Sequence, residues 1–74
     1  MKISIEYCGE WNYLPKAAGL AKALKDKYNI NAELIKSSGG VFEVVKDGKL
    51  IFSKRAKGRF PDDGEIFSII DKDS

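Results

Sequence analysis

The sequence lacks the residues that build metal sites and cross-links. Its 74 residues include no histidine and one cysteine, Cys8. One cysteine excludes an intramolecular disulfide, and a structural zinc site needs several cysteine or histidine ligands. We therefore expect no metal or bound cofactor, and a core held by apolar packing alone. The hydrophobic content of 43% allows such a core in a single domain over residues 1–74.

The sequence also has no strong excess of charge and no long apolar run. Thirteen basic and eleven acidic residues leave a net charge of +2, which indicates a mixed surface and no nucleic-acid partner. No apolar stretch approaches the roughly 18 residues of a membrane span, and the chain enters a strand pattern without a signal peptide. Because a lone cysteine without an export signal is typical of a reducing compartment, we expect a cytoplasmic protein with no membrane partner.

Apolar periodicity predicts a strand, a helix and a second strand in the first half of the chain. Lys2–Tyr7 alternates with a period of two and should bury Ile3, Ile5 and Tyr7. Leu14–Tyr28 has helical spacing, with Pro15 in the first turn and Asn29 as a stop. Asn31–Ile35 predicts a second strand, which should run parallel to the first through a right-handed crossover.

A hairpin is predicted in the second half, after a loop at Ser37–Gly40. Asp47-Gly48 separates the apolar runs Val41–Lys46 and Lys49–Ser53, and both turn residues tolerate a positive φ. A two-residue turn gives three cross-strand pairs: Lys46 with Lys49, Val45 with Leu50, and Val44 with Ile51.

A basic loop and a short helix are predicted to follow. The basic residues are Lys54, Arg55, Lys57 and Arg59, which are either solvated or able to bind phosphate or an acidic partner. Asp62 and Glu65 have the spacing of a capping box, and the helix should bury Ile66, Ile69 and Ile70 before Asp71–Ser74 frays. The order β-α-β-β-β-α predicts a two-layer α/β domain with a four-stranded mixed sheet and both helices on one face.

The lone cysteine lies where the first strand turns into the helix. The positive end of a helix dipole and unpaired backbone N–H groups favour the thiolate, which is the reactive form of cysteine. Cys8 is therefore a candidate monothiol nucleophile. The alternative is a partly buried cysteine retained for packing.

Five stretches together resemble a known family. They are a strand with Tyr-Cys-Gly-x-x-x-Tyr (7–13), a helix with an early Pro-Lys, Gly-Gly-Val-Phe-Glu-Val (39–44), Asp-Gly-Lys-Leu-Ile-Phe-Ser-Lys (47–54) and Gly-Arg-Phe-Pro (58–61). The pattern resembles the Rdx family, the selenoprotein W, T and H group, from Ile3 to about Ile70. The resemblance implies a thioredoxin-like fold, thiol or selenol redox chemistry, a cytosolic location and, for the selenoprotein W branch, a link to glutathione and protein partners.

The sequence departs from the family pattern at one position. Family members usually carry Cys-x-x-Cys or Cys-x-x-Sec after the first strand, and Cys8 matches the first position of that motif. Trp11 stands at the fourth, so the usual intramolecular disulfide or selenenylsulfide cannot form. Trp11 is either a cover or partner anchor beside the thiol, or a substituted position whose ring lies on the surface.

Further residues are candidates for binding a ligand or partner beside Cys8. Backbone N–H groups of the Ser37–Gly40 loop either hold an anion, such as a glutathione carboxylate, or belong to an ordinary connection. The candidates are Gly9, Glu10, Tyr13, Ser38, Gly39, Gly40 and Phe42. Two functions follow: a selenoprotein W-like redox protein that forms mixed disulfides with glutathione or client thiols through Cys8, and a redox-inert module that binds a partner protein through the Cys8–Trp11 loop.

Overall fold

A computed structural model describes residues 1–73 and contains four strands and three helices in that range. In chain order the elements are β1 (Ile3–Cys8), α1 (Leu14–Tyr28), β2 (Glu33–Ser37), β3 (Phe42–Lys46), β4 (Lys49–Ser53), α2 (Lys54–Lys57) and α3 (Asp63–Lys72).

The strands form one mixed sheet in the order β2-β1-β3-β4. β1 pairs parallel with β2 and antiparallel with β3, and β3 pairs antiparallel with β4. The β1-α1-β2 unit therefore has the parallel strands that its sequence pattern predicts. The predicted α/β class and four-stranded mixed sheet are confirmed.

One hydrophobic core lies between the sheet and the helices. The inward residues of β1 pack in the same cluster as side chains of α1 and α3, which places both helices on one face of the sheet. The cluster contains Ile3, Ile5, Tyr7, Ala17, Leu20, Leu24, Phe42, Val44, Phe52, Ile66 and Ile70. Each fully buried Leu, Ile or Phe side chain contributes roughly 1.5–3 kcal/mol relative to an exposed one, so this layer supplies most of the stability.

Helix α1 has the predicted bounds, and local chemistry explains both ends. Pro15 lies in the first turn, where its missing N–H costs no hydrogen bond. Asn29 adopts the left-handed conformation with φ 57°, and its N–H donates to the carbonyl of Lys25.

Strand β2 begins two residues later than the Asn31–Ile35 pattern predicts. It is an edge strand that exposes both Leu34 and Ile35, so no buried face fixes its register in the sequence.

The β3–β4 hairpin contains a bulge that the sequence does not reveal. Lys46 pairs with Lys49 and Val45 with Leu50, as predicted, but Val44 pairs with Phe52 and not with Ile51. The extra residue at Ile51 places Phe52 opposite Val44 on the core face, where Phe52 is buried.

The structure corrects three predictions after the hairpin. The basic loop begins with helix α2, whose N-cap Ser53 accepts a hydrogen bond from the N–H of Ala56. Only half of the capping box forms: Asp62 is the N-cap of α3 without a side-chain cap bond, whereas the Glu65 carboxylate accepts a backbone hydrogen bond from Asp62 and also binds Arg59. Residues 71–73 are not frayed, because Asp73 caps α3 and binds two lysines; Ser74 lies outside the described residues.

Candidate functional site

Backbone hydrogen bonds draw two loops together around Cys8, the last residue of β1. The N–H of Cys8 donates to the carbonyl of Val41 at 2.9 Å, and the carbonyl of Cys8 accepts from the N–H of Tyr13 at 3.1 Å. The N–H of Gly9 donates to the carbonyl of Ser37 at 3.0 Å. The redox-motif loop (residues 9–13) and the glycine loop (residues 38–41) therefore meet at the end of β1.

The side chain of Cys8 is fully buried, with 0% of its surface exposed. Strand alternation directs it to the opposite side of the sheet from Tyr7, and it does not belong to the core beneath the helices. A disulfide substrate therefore cannot reach this thiol in the observed conformation. A reaction at this sulfur requires the groups that cover it to move.

Trp11 covers the glycine loop and remains largely in solvent. Its side chain is 62% exposed, and one ring face lies against Gly40. A Cβ atom added at Gly40 would lie 2.8 Å from Cε3 and 2.9 Å from Cη2 of the indole. Gly40 also has φ +75°, a backbone conformation that residues other than glycine adopt only at a cost in free energy. The backbone conformation therefore favours glycine at this position, and a side chain there would displace the indole ring.

The other candidate residues of the two loops do not converge on one point. Gly9 lies beneath the side chain of Lys36, and a Cβ there would lie 2.9 Å from its Cγ. Glu10, Ser38 and Gly39 are exposed, and no atom lies within 4 Å of the Cβ position of Gly39. These residues offer surface beside the site without forming a pocket.

A row of aromatic rings runs from Trp11 into the core. Tyr13 packs edge-on against Trp11, with 6.1 Å between ring centroids, and against Phe60 at 4.7 Å. Phe60 in turn meets Phe42 at 5.3 Å. Phe42 is only 1% exposed, so it forms the buried end of this row. Phe60 was missed as a site residue, and its only signal is the Gly-Arg-Phe-Pro stretch.

Two ammonium groups lie over this aromatic row. Lys54 Nζ is 5.6 Å from the ring centroid of Tyr13 and 5.3 Å from that of Phe60, and Lys16 Nζ is 5.2 Å from Phe60. Such cation–π contacts contribute about 0.5–1 kcal/mol at exposed sites. Lys54 therefore belongs to the site, although the sequence presents it as part of a solvated basic run.

Arg59 forms an ion pair with Glu65 of the same chain. Its two terminal nitrogens donate to the two carboxylate oxygens of Glu65 at 2.7 and 2.8 Å. These hydrogen bonds hold the pKa of the Glu65 carboxyl below its usual range and raise the pKa of Arg59. This pairing opposes the use of Arg59 as a phosphate ligand, because its bidentate donors are already occupied.

A groove of about 310 Å³ opens between α1 and the segment that follows Phe60. Phe42 and Leu20 form its floor, Gly19 forms part of one wall, and Phe60 and Pro61 form the other. Its rim carries Lys16 on α1 and Asp62 and Asp63 opposite. Within residues 1–73, no group of three or more acidic or cysteine side chains could hold a metal ion, and no helix is long and apolar enough to span a bilayer.

The mixed sheet with its helices on one face, and the loop that follows β1, define a thioredoxin-like protein. The chain belongs to the Rdx family, whose model matches residues 2–72. It is 35% identical over 66 residues to Selenoprotein W of Danio rerio, covering 84% of this chain and 77% of that protein. The crystal structure of a selenoprotein W-related protein from Vibrio cholerae matches with a TM-score of 0.90 at 24% identity, over 96% of this chain and 92% of that one.

A second curated relative is longer than this chain. "Migration and invasion enhancer 1" of Bos taurus is 32% identical over 71 residues, which is 95% of this chain. The chain spans 62% of the length of that relative. The shared part is therefore the Rdx domain, and the chain is selenoprotein W-like in sequence and fold.

Proposed function

We propose that this protein is a thiol-redox protein that exchanges disulfides through Cys8 alone. The observation that carries the proposal is the position of the only cysteine, which ends β1 at the first position of the family's redox motif and whose backbone is hydrogen-bonded to both loops. Oxidised glutathione or a client disulfide would be the substrate, and a reducing cytoplasm would be the compartment that keeps Cys8 available as a thiol.

The proposed reaction is one thiol–disulfide exchange. The Cys8 thiol loses its proton to solvent, and the thiolate attacks one sulfur of oxidised glutathione. A disulfide forms between Cys8 and that glutathione half, the original sulfur–sulfur bond breaks, and the second half leaves as a thiolate that takes up a proton. A further glutathione thiolate reverses the step by attacking the mixed disulfide, because Trp11 supplies no resolving sulfur.

The buried sulfur makes loop opening part of this proposal. The contact of Trp11 with Gly40 joins the two loops that are hydrogen-bonded to Cys8, and Asn12 in the same loop has a positive φ of 58°. Separation of these loops would expose the sulfur without disturbing the helix-side core, to which Cys8 does not belong. We expect the rate of adduct formation to be limited by this opening.

The exposed indole favours a second function, a partner-binding module without redox chemistry. A tryptophan that is 62% exposed is a common anchor of protein interfaces, and Trp11 is the only exposed aromatic ring among the large exposed hydrophobic side chains of residues 1–73. In this alternative, Cys8 stays buried and the loop that carries Trp11 binds another protein.

Intact-mass measurement with oxidised glutathione separates the two functions. Redox function predicts one glutathione adduct on the folded protein, absent from Cys8→Ser and removed by reduced glutathione. An adduct that forms only in denaturant would contradict redox function and support the binding module.

A second variant tests whether the loop has the geometry of the family motif. Trp11→Cys restores a thiol at the fourth position, and it should oxidise to an internal disulfide with loss of free thiol. The matched control is Asn12→Cys, which places the new thiol one residue away. Equal oxidation of both variants, or of neither, would contradict the motif geometry.

A further inference from the structure

The sheet has a second face that helices α1 and α3 do not cover. These helices pack on the side to which Ile3, Ile5 and Tyr7 point. Residues that pair across neighbouring strands share a face, and successive residues of a strand alternate between faces. The other side of the sheet, called the open face from here on, therefore includes Glu6, Cys8, Glu33, Ile35, Glu43 and Val45.

Cys8 lies at one end of the open face. Its side chain points to the side opposite Tyr7, and it pairs with Ser37 of β2. Glu6 precedes it by two residues on the same face, so about 6.6 Å of strand separates their Cα atoms. A protein whose disulfide reaches this sulfur, once the covering groups have moved, therefore lies next to the open face and not next to the helices.

The charged residues that the strands place on this face are all glutamates: Glu6, Glu33 and Glu43. Glu6 and Glu43 are direct partners across β1 and β3, and like charges in such a pair destabilise a sheet. Within residues 1–73, Glu43 accepts a hydrogen bond from Ser53, and no ion pair or side-chain hydrogen bond involves Glu6. The stability of the chain alone does not explain this pair of carboxylates, whereas a cationic partner would.

Apolar side chains lie among these carboxylates. Ile35 pairs with Glu6 across β1 and β2 and is 40% exposed, although it belongs to a strand. Val45 follows Glu43 by two residues on β3 and is half-buried. Apolar surface between negative charges is complementary to a segment that combines lysine or arginine with apolar side chains.

The basic residues of the chain lie at the ends of this face or on the other side of the sheet. Lys2 precedes β1 at one end, and α2 begins after Ser53 at the other with Lys54, Arg55 and Lys57. In the described part of the chain, none of them forms an ion pair with the three glutamates. The net charge of +2 favours anionic substrates, whereas the open face favours cationic ones, so the two predict opposite preferences.

From these features we propose that the client of Cys8 is a protein disulfide flanked by basic and apolar residues, which docks on the open face. The proposal rests on the redox function above and names its substrate class. The Cys8 thiolate attacks the client disulfide, a mixed disulfide forms, and the other client sulfur leaves as a thiolate that takes up a proton. Oxidised glutathione, which carries a net negative charge, is then the slower substrate.

Two peptide disulfides test this preference, one with lysines and one with glutamates around the same cysteine and leucine residues. Intact mass follows the rate at which each peptide adds to Cys8 of the folded protein. Each rate is divided by that of the same peptide with 2-mercaptoethanol, which removes differences between the two disulfides. The lysine peptide should react at least about tenfold faster at low ionic strength, and the advantage should shrink as added salt screens the charges.

Variants that remove one charge at a time locate the preference. Glu6→Gln and Glu43→Gln should each lower the rate ratio of the two peptides about two- to threefold, which is the effect of one unit charge about 7 Å away in water. Because both peptides react with the same sulfur, their ratio cancels any change in its intrinsic reactivity. Asp63→Asn removes the same charge from α3, on the other side of the sheet, and should leave the ratio unchanged.

Equal rates for the two peptides would overturn the proposal. A lysine preference that persists in the double variant of Glu6→Gln and Glu43→Gln would also overturn it, and so would an equal loss in Asp63→Asn. These outcomes leave the redox function intact, because both peptides and oxidised glutathione would still form adducts on Cys8. Absence of every adduct from the folded protein would instead contradict the redox function, and the docking proposal with it.

Discussion

Two neighbouring glycines separate the backbone requirement of the glycine loop from its contact with Trp11. Gly39 and Gly40 have nearly equal φ angles, +76° and +75°, so alanine at either position must adopt the left-handed conformation. The two positions differ in their neighbours: the Cβ position of Gly39 is open, whereas that of Gly40 overlaps the indole of Trp11. Gly39→Ala is therefore a matched control for Gly40→Ala.

The expected loss of stability is similar for the two variants. A left-handed conformation costs a non-glycine residue about 1–2 kcal/mol, and this cost applies to both. The overlap at Gly40 adds little, because the indole is the end of an exposed side chain that can swing away from the loop. We expect chemical unfolding to give free energies about 1–2 kcal/mol below that of the unchanged protein for both variants.

The two variants should differ in what happens around Cys8. Gly40→Ala displaces the ring of Trp11, so the emission of this single tryptophan should change and Cys8 should react faster with a thiol reagent under native conditions. Gly39→Ala should leave both observations unchanged. In a Trp11→Ala background the difference between the two alanine variants should disappear, which a double-mutant cycle measures.

A specific result would refute this reasoning. If Gly40→Ala leaves the emission and the labelling rate of Cys8 unchanged, the contact between Trp11 and Gly40 does not hold the loops closed. If Gly39→Ala accelerates labelling equally, the loops open through loss of backbone stability and not through the indole.

Three further predictions concern stability. Gly19→Ala should stabilise the protein by about 1 kcal/mol in chemical unfolding, because the new methyl group meets no atom and a helical glycine costs about that much relative to alanine. Asp73→Asn should lower the melting temperature, because Lys46 is 7% exposed and loses the carboxylate 3.2 Å from its Nζ, whereas Lys46→Met should retain or raise it. Burial, followed by the hydrogen bond from its hydroxyl to Asp71, raises the pKa of Tyr28 to about 12. The stability that Tyr28 contributes below pH 10 should therefore fall as the pH rises towards 12. Tyr28→Phe should remove this alkaline loss of stability in thermal melts.

Stability in acid follows from three carboxylates with lowered pKa values. Hydrogen bonds from Lys49 and Lys46 lower the pKa of Asp73, and a hydrogen bond from Arg59 lowers that of Glu65. A hydrogen bond from the backbone N–H of Lys2 lowers the pKa of Asp47. Because these folded-state pKa values lie below the unfolded ones, their contribution is complete above about pH 5 and is lost as the pH falls through the lowered values. With no histidine in the chain, thermal melts should vary little between pH 6 and pH 8.

Periodicity predicts the elements of this fold wherever one face is buried. Ile3, Ile5 and Tyr7 alternate because one side of β1 meets the helices, and the α1 pattern is clear for the same reason. β2 is exposed along most of its length, so its residues carry no alternation that could fix its bounds. The bulge at Ile51 is also hidden, because Leu50, Ile51 and Phe52 form a continuous apolar run that allows either residue to face the core.

The candidate site was predictable in its position but not in its exposure. The junction after β1 and the glycine loop both follow from the sequence, and the structure brings them into contact through Trp11 and Gly40. Burial of Cys8 depends on tertiary packing at the end of the sheet, which no local pattern records. Phe60 and Lys54 were missed because their contact with Tyr13 joins segments more than 40 residues apart in the sequence.

The turn of the β3–β4 hairpin is hydrogen-bonded to residues near both ends of the described chain. The N–H of Lys2 donates to the Asp47 carboxylate while the N–H of Asp47 donates to the carbonyl of Lys2, at 2.9 and 2.8 Å. Lys46 and Lys49, on either side of the same turn, hold Asp73. A cut at this turn would therefore release the first strand and the last helix together, so proteolysis there should unravel the domain from two directions at once.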